Sequence, residues 1–258
     1  MDPRLFAFNV GVEIVDLANF DPLGPEVGTK VRTPYFFYVV LHERGPVVID
    51  TGAHPRWTGA YDPDRDPVPE GPRIAVREGE DVVARLASIG VAPGDVEHVV
   101  LTHLHIDHAG GVGLFPGATF HVQARERAFA FSPPVYQEGF YVREDFDLPV
   151  RWQDHDGESD VFGDGSIVLV PTPGHSGGHQ SVLVRLSGGA VILVGDAAYS
   201  PRTMAARRLP GILWSPDEMV ASWERLEALR DAEGAELVFT HDLDWRDTVR
   251  LGPEAWYA

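Results

Sequence analysis

Residues 102–111 read THLHIDHAGG, which places four potential metal ligands within six positions. The valine-rich run just before this motif predicts a strand. On a strand, His103 and His105 would point to the same side, because side chains alternate with a period of two. The strand 96–101 ends just before them, so we expect them at its C-terminal tip. Asp107 and His108 then lie in the turn that follows. The spacing predicts that one pair serves one metal ion and that the other pair serves a second ion close by.

Three more candidate ligands each follow a predicted apolar strand, namely His175, Asp196 and His241. Polar groups at strand ends lie at the edge of a sheet, where functional sites collect. A single histidine in such a place is usually a surface residue or a hydrogen-bonded one. Five histidines and two aspartates in this arrangement are much harder to explain by packing. The whole set therefore predicts a metal site.

The composition limits which metals this site can take. The 258-residue chain has no cysteine, which excludes disulfides, thiolate ligands and iron–sulfur clusters. The remaining ligands are imidazole and carboxylate. They suit two divalent metal ions, with zinc as the first expectation and iron, cobalt or manganese as alternatives.

The charge and hydropathy of the chain limit the kinds of partner that it can bind. The formal net charge is −18, whereas nucleic-acid-binding proteins normally carry a basic face. No run approaches the roughly 20 apolar residues that cross a membrane, and the first residues lack the basic and then apolar pattern of a secretion signal. The sequence thus predicts a cytoplasmic protein that binds a small molecule, with no nucleic acid and no membrane as partner.

Strands and helices alternate along the chain in a way that indicates an α/β fold. The predicted strands are 35–41, 47–49, 96–101, 120–122, 167–170, 180–185, 190–194 and 237–239. The predicted helices are 81–89, one that begins at Ala124, and 216–230. There is no internal repeat and no low-complexity linker. We therefore expect a single domain spanning residues 1–258, in which sheets are sandwiched between helices.

These motifs resemble the metallo-β-lactamase superfamily. The matching elements are H-x-H-x-D-H at 103–108, P-G-H-S at 173–176, the Gly-Asp pair at 195–196, His241, and V-I-D-T-G at 48–52. The resemblance covers nearly the whole chain. It implies a hydrolase built as a four-layer αβ/βα sandwich, with two metals at one edge.

The resemblance also implies which side chains hold the metals. The first metal would lie on His103, His105 and His175, the second on Asp107, His108 and His241, and Asp196 would bridge the two. Asp50 is expected to orient one of the ligands. His179 is expected to support the site without ligating a metal.

Within the superfamily, three segments look most like the N-acyl homoserine lactone lactonases: 103–111, 172–181 and 196–199. This resemblance implies that a hydroxide shared by the metals opens the ester ring of a lactone. Tyr199 is expected to donate a hydrogen bond to the oxyanion as it forms, and Asp107 to pass a proton to the departing alkoxide. The other interpretation of Tyr199 is an aromatic residue at a strand end that covers the core.

The regions that shape substrate choice match that group less closely. Ile106 stands where those lactonases often carry an aromatic residue that lines the acyl pocket. The Pro- and Asp-rich loop 61–72 is a candidate lid or rim, and the segment 132–147 is aromatic and turn-rich. Five aromatic residues either wall a groove for an acyl tail, belong to the core, or form a homodimer contact: Phe131, Tyr136, Phe140, Tyr141 and Trp214.

Other functions of the same fold stay open. A thioesterase like glyoxalase II, a β-lactamase or a phosphodiesterase would use the same metal centre, although the acidic charge disfavours nucleic-acid phosphodiesters. A di-iron reductase of oxygen or nitric oxide typically has glutamate in place of His105 and needs a flavin domain, and neither is present. A non-catalytic binding protein would not need all seven ligands.

Overall fold

The computed structural model describes residues 3–62, 65–66 and 74–258. These residues form twelve strands and six α-helices. The strands are β1 (Arg4–Asp16), β2 (Lys30–His42), β3 (Gly45–Ile49), β4 (Ile74–Ala75), β5 (His98–Val100), β6 (Thr119–Gln123), β7 (Arg151–His155), β8 (Ser159–Asp160), β9 (Ile167–Pro171), β10 (Gln180–Leu186), β11 (Gly189–Gly195) and β12 (Glu236–Phe239). The helices are α1 (Val82–Ser88), α2 (Ala124–Phe131), α3 (Arg143–Phe146), α4 (Pro201–Ala205), α5 (Pro216–Glu233) and α6 (Trp245–Thr248). Most of the expected lid or rim at 61–72 lies outside the described residues.

The strands form two sheets with mixed pairing. The first sheet has the order β4-β1-β2-β3-β5-β6-β7 and the second has the order β12-β11-β10-β9-β8. In the first sheet β3, β5, β6 and β7 pair in parallel, whereas β4, β1, β2 and β3 pair antiparallel. Because the carboxyl ends of parallel strands meet at one edge of a sheet, the loops after β3 and β5 lie side by side.

Three buried apolar clusters order these elements into four layers. Between the sheets, one cluster joins residues such as Phe36 of the first sheet and Val182 of the second. The outer face of the first sheet packs against α1 through Leu86 and against α3 through Phe146. The outer face of the second sheet packs against α5 through Trp223. This arrangement confirms the expected αβ/βα sandwich.

The prediction misses β1, although this strand pairs with β2 along most of its length. Its sequence, RLFAFNVGVEIVD, breaks the apolar alternation between Asn9 and Val12, where the register with β2 shifts. Gly11 lies inside this irregularity at φ +146, and a Cβ there would come 2.8 Å from the carbonyl oxygen of Ala75. An irregularity of this kind re-aims the following residues, and the second half of β1 reaches the candidate site described below.

The helix α5 begins and ends close to where its sequence predicts. It begins at Pro216, and the hydroxyl of Ser215 accepts a hydrogen bond from the N–H of Glu218 at 3.3 Å. It ends before Gly234, which adopts the left-handed conformation at φ 62 that favours glycine. In the described part of the chain, no helix is long and apolar enough to cross a membrane.

Candidate metal centre

The loop after β5 carries the first four candidate ligands. The strand ends at Val100, so His103 and His105 lie just beyond its C-terminal end, as the sequence predicts. The chain leaves the sheet because Thr102 finds other partners. Its N–H and hydroxyl donate to the Asp50 carboxylate at 2.8 and 2.9 Å, and its carbonyl accepts from the N–H of Gln180 in the second sheet at 2.9 Å. The motif therefore lies in a loop that connects the two sheets at their shared edge.

The first ligand group contains three buried histidines, His103, His105 and His175. Nε2 of His175 lies 3.2 Å from Nε2 of His103 and 2.9 Å from Nδ1 of His105. Burial lowers the pKa of each of the three imidazoles, and the neighbouring imidazoles lower that of His103 and His105 further. The group therefore favours neutral imidazole, which is the form that binds a metal.

The second ligand group contains Asp107, His108 and His241. Oδ2 of Asp107 lies 3.5 Å from Nε2 of His108 and 3.3 Å from Nε2 of His241. Both imidazoles are almost fully buried, whereas the side chain of Asp107 keeps 15% of its surface exposed. Asp107 is therefore the most exposed member of the group.

The carboxylate of Asp196 lies between the two groups. Its Oδ1 is 3.3 Å from Nε2 of both His108 and His241, and its Oδ2 is 3.4 Å from Nε2 of His175. One oxygen thus faces each group, which is the geometry of a bridging ligand. The structure brings all seven predicted side chains together at one edge of the sandwich.

Neighbouring acceptors fix the orientation of the histidines in the second group. Nδ1 of His108 lies 2.8 Å from Oδ2 of Asp50, and Nδ1 of His241 lies 2.8 Å from the carbonyl oxygen of Pro34. Because Nδ1 donates to these acceptors, Nε2 is the ring nitrogen that faces the site. Asp50 adopts φ 57, a conformation that non-glycine residues rarely adopt and that clusters at functional sites. The expected contact between Asp50 and a ligand is present.

His179 supports the site from outside it. Its Nε2 accepts a hydrogen bond from the backbone N–H of Asp196 at 3.0 Å, and its Nδ1 lies 2.9 Å from the hydroxyl of Thr172. None of the ligand groups found in the described residues includes His179. Its expected structural role is confirmed, because it holds the backbone that presents the central carboxylate.

A buried glutamate on α2 ties two ligand loops together, and sequence reasoning missed it. The carboxylate of Glu126 accepts from the N–H of Leu104 at 3.1 Å, from the hydroxyl of Ser176 at 2.6 Å and from the N–H of Gly178 at 3.0 Å. The first of these residues lies between His103 and His105, and the other two follow His175. No signal in the sequence separates this glutamate from the solvent-exposed charges that are usual on helices.

The residues present fit metal ions. Nε2 of His108 and Oδ1 of Asp196 are buried and have no hydrogen-bond partner among the described residues. Burial lowers the pKa of His241, but the carboxylates of Asp196 and Asp107 outweigh this effect and raise it to about 10. Burial also raises the pKa of both carboxyl groups, and the neighbouring imidazoles bring it below the usual range. A buried, electron-rich pocket with unpaired donor atoms suits cations.

A cavity of about 210 Å³ opens beside the two ligand groups. Its wall includes the ligands His105, Asp107, His175, Asp196 and His241. Tyr199 also lines it, and its hydroxyl lies 3.1 Å from Nδ1 of His175. Six apolar side chains also line it: Val15, Phe20, Ile74, Ile106, Phe140 and Ile212. Glu13, Asn19 and Thr33 add polar groups. Sequence reasoning missed the members from β1 and its following loop because it did not predict β1.

The five aromatic residues whose roles the sequence analysis left undecided have different surroundings in the structure. Phe140 lines the cavity. Phe131 and Tyr141 pack against the core cluster of the first sheet, and Trp214 packs against Phe129 with a ring separation of 5.7 Å. Tyr136 is 60% exposed. The aromatic segment therefore contributes only one side chain of this set to the cavity wall, and the groove interpretation fails for the others.

Comparison with known proteins agrees with this fold and site. The model of the metallo-beta-lactamase superfamily matches residues 32–241, a span that runs from β2 to the last ligand. The chain therefore belongs to the metallo-beta-lactamase superfamily.

Among its relatives are N-acyl homoserine lactonases. The chain is 40% identical to the N-acyl homoserine lactonase AttM of Azorhizobium caulinodans over 240 residues, covering 88% of each protein. It is 28% identical to an N-acyl homoserine lactonase of Bacillus thuringiensis over 229 residues, again covering 88% of each. A crystal structure of an N-acyl homoserine lactone hydrolase with N-hexanoyl-L-homoserine at its catalytic metal centre superposes with a TM-score of 0.86, at 25% identity and 99% coverage of both chains. The predicted resemblance to the lactonases is confirmed.

Proposed function

We propose that this chain is a metal-dependent lactonase that opens the ester ring of N-acyl homoserine lactones. The observation that carries the proposal is a pair of three-ligand groups with Asp196 between them, beside a cavity that Tyr199 lines. Relatives at 40% and 28% identity are named for the same substrate class. The fold, the site and the relatives thus support one reaction, the hydrolysis of a cyclic carboxylic ester.

Seven side chains hold two divalent ions in this proposal: His103, His105, Asp107, His108, His175, Asp196 and His241. Their imidazole and carboxylate donors favour zinc, with iron, cobalt and manganese as the other candidates. When bound, such ions lower the pKa of a water toward about 7 and polarise an ester carbonyl.

The hydroxyl of Tyr199 stabilises the negative charge that develops on the carbonyl oxygen of the substrate. His175 offers Nε2 to the ligand group, so its Nδ1 carries the proton and faces Tyr199 Oη at 3.1 Å and the carbonyl oxygen of Ile212 at 3.3 Å. A hydroxyl that accepts this hydrogen bond keeps its own proton for the substrate. A donor of this kind contributes about 3 kcal/mol to transition-state stabilisation.

The Asp107 carboxylate takes the proton that the attacking water gives up and passes it to the departing alkoxide. Its carboxylate lines the cavity and is more exposed than the imidazoles beside it. A proton donor must come within hydrogen-bond reach of the leaving oxygen. Of the seven candidate ligands, Asp107 combines this access with a group that can carry a proton.

Parallel assays test the proposal against the other hydrolase activities. The metal-loaded protein is assayed separately with four compounds: N-hexanoyl homoserine lactone, a glutathione thioester, a penam and bis(p-nitrophenyl) phosphate. We expect the highest kcat/KM for the lactone, and we expect metal-depleted protein to lose that activity. A metal-loaded protein that leaves the lactone intact and hydrolyses one of the other compounds would contradict the proposal.

The broader expectations stay predictions, each with a direct test. Cell fractionation tests the cytoplasmic location. Analytical ultracentrifugation tests the homodimer, and limited proteolysis tests the single domain over residues 1–258.

A further inference from the structure

A second cavity of about 430 Å³ adjoins the first and shares part of its wall. Three residues line both cavities: Phe20, Tyr199 and His241. These three side chains form a wall that the two cavities share, called the partition below. The first cavity alone, at about 210 Å³, is smaller than the roughly 300–1,000 Å³ typical of small-molecule sites.

Phe20 is the member of this partition that has no part in the candidate chemistry. Its ring packs 4.7 Å from the ring of Tyr199 and 6.3 Å from that of His241. The residue is almost fully buried, and it belongs to a small apolar cluster with Val15 and Tyr199. Because the other two partition residues serve the metal centre, Phe20 is the side chain that can change without removing it.

An apolar strip runs from one cavity to the other across Phe20. Val15 lines the first cavity, and Leu17 lines the second. Pro201 and Leu243 add apolar surface to the second cavity, while the rest of its lining is polar and includes Asp21, Arg202, Asp242 and Asp244. The apolar strip itself accepts an unbranched alkyl chain.

The segment that carries Phe20 is held in place at both ends. The carboxylate of Asp16 accepts hydrogen bonds from the N–H groups of Ala18 and Gly28, each at 2.9 Å. The carbonyl oxygen of Asn19 accepts from the N–H of Gly211 at 2.9 Å. These contacts fix the backbone on both sides of the ring, so the ring acts as a fixed partition.

We propose that Phe20 is a specificity-determining residue that limits the length of the acyl chain, because its ring closes the passage from the substrate cavity into the second cavity. This inference rests on the proposed lactonase function. Wild-type protein then favours short-chain lactones. Removal of the ring joins the two cavities and admits a chain of about ten carbons.

The experiment compares kcat/KM for N-butanoyl and N-decanoyl homoserine lactone in wild type, Phe20→Ala and Phe20→Val. We expect the ratio of decanoyl to butanoyl to rise by about tenfold in both variants. Isothermal titration with N-butanoyl and N-decanoyl homoserine, the ring-opened products, should show the same preference as a change in Kd. The second variant keeps the test valid if the alanine variant does not fold.

Two further variants test whether the opened passage between the cavities causes the change in this ratio. Ile74→Ala enlarges only the first cavity, so we expect it to leave the ratio near the wild-type value. Leu17→Trp in the Phe20→Val background fills the second cavity and should restore that value. An unchanged ratio in folded, metal-loaded Phe20 variants would overturn the inference, as would an equal rise in Ile74→Ala. If wild type hydrolyses neither lactone, the proposed function fails instead.

Discussion

The histidines of the candidate centre are useful as ligands because one ring nitrogen of each is directed to the site. For His108 and His241, the other nitrogen donates to an acceptor within 2.8 Å. Sequence reasoning found all seven candidate ligands, because four lie in one short motif and each of the other three follows an apolar strand. It could not find Glu126 or Phe20, because their roles depend on contacts with residues far away in the chain.

Replacing Tyr199 with phenylalanine tests its role at the reacting oxygen. We expect kcat to fall on the order of 100-fold, because one oxyanion donor is lost. The metal content should stay at the wild-type level, since the hydroxyl is not among the ligand atoms. Steady-state kinetics together with metal analysis of the same sample give the answer. Unchanged kcat would remove Tyr199 from the mechanism.

Replacing Asp50 with alanine tests the support of a ligand. His108 then loses the acceptor for its Nδ1, and we expect the metal affinity to fall about 10- to 100-fold. Competition with a chromophoric chelator measures this change. The control is Asp156→Asn at an exposed site, which should bind metal like wild type. Equal affinities in the two variants would show that Asp50 does not support the centre.

Among the elements, β1 shows where sequence patterns are weakest. Strands with regular apolar runs, such as β10 and β11, were predictable from β-branched residues bounded by turns. β1 changes register at Gly11, and β7 is polar on an edge of the sheet, so neither shows a clean alternation. Of these two strands, β1 is the one whose second half contributes residues to the cavity wall.

Three adjacent strands of the first sheet carry a row of histidines that predicts a pH-dependent stability. Nε2 of His121 lies 3.0 Å from Nδ1 of His98, and its Nδ1 lies 3.0 Å from Nε2 of His155. Burial and, to a smaller extent, the two neighbouring imidazoles together lower the pKa of His121 to about 4. The folded state thus holds this imidazole neutral, whereas the unfolded chain takes up a proton near pH 6.5.

The sign of this dependence follows from the lowered pKa. The contribution of His121 is fully present above about pH 6.5 and is lost as the pH falls to about 4, with a total of about 3 kcal/mol. We expect the free energy of unfolding, measured by urea titration, to fall less steeply over this range in His121→Asn than in wild type. Parallel pH profiles for the two proteins would contradict this assignment.

For the whole molecule, the sequence predicted the layer order but not the order of strands within each sheet. The pattern of strands and helices, together with the motif, was enough for the αβ/βα sandwich. The pairing of β3 with β5, and the loop by which Thr102 connects the sheets, depend on long-range hydrogen bonds that no local pattern records.

Metal removal should lower the stability of the whole domain, because the centre joins loops from both sheets. At a metal concentration of 1,000 times Kd, binding stabilises the folded state by about 4 kcal/mol. We therefore expect a chelator to lower Tm by about 10 °C and added zinc to restore it. Calorimetry on the same sample before and after chelation measures this shift. A Tm that does not respond to the chelator would show that the metals do not hold the loops together.

The central claim is that two ions share one carboxylate, and metal stoichiometry tests it most directly. Protein reconstituted with zinc and freed of excess metal by gel filtration is analysed by inductively coupled plasma mass spectrometry. We predict two zinc ions per wild-type chain and about one or fewer in Asp196→Ala, because that carboxylate faces both ligand groups. A folded wild-type chain that retains one ion or none would contradict the account.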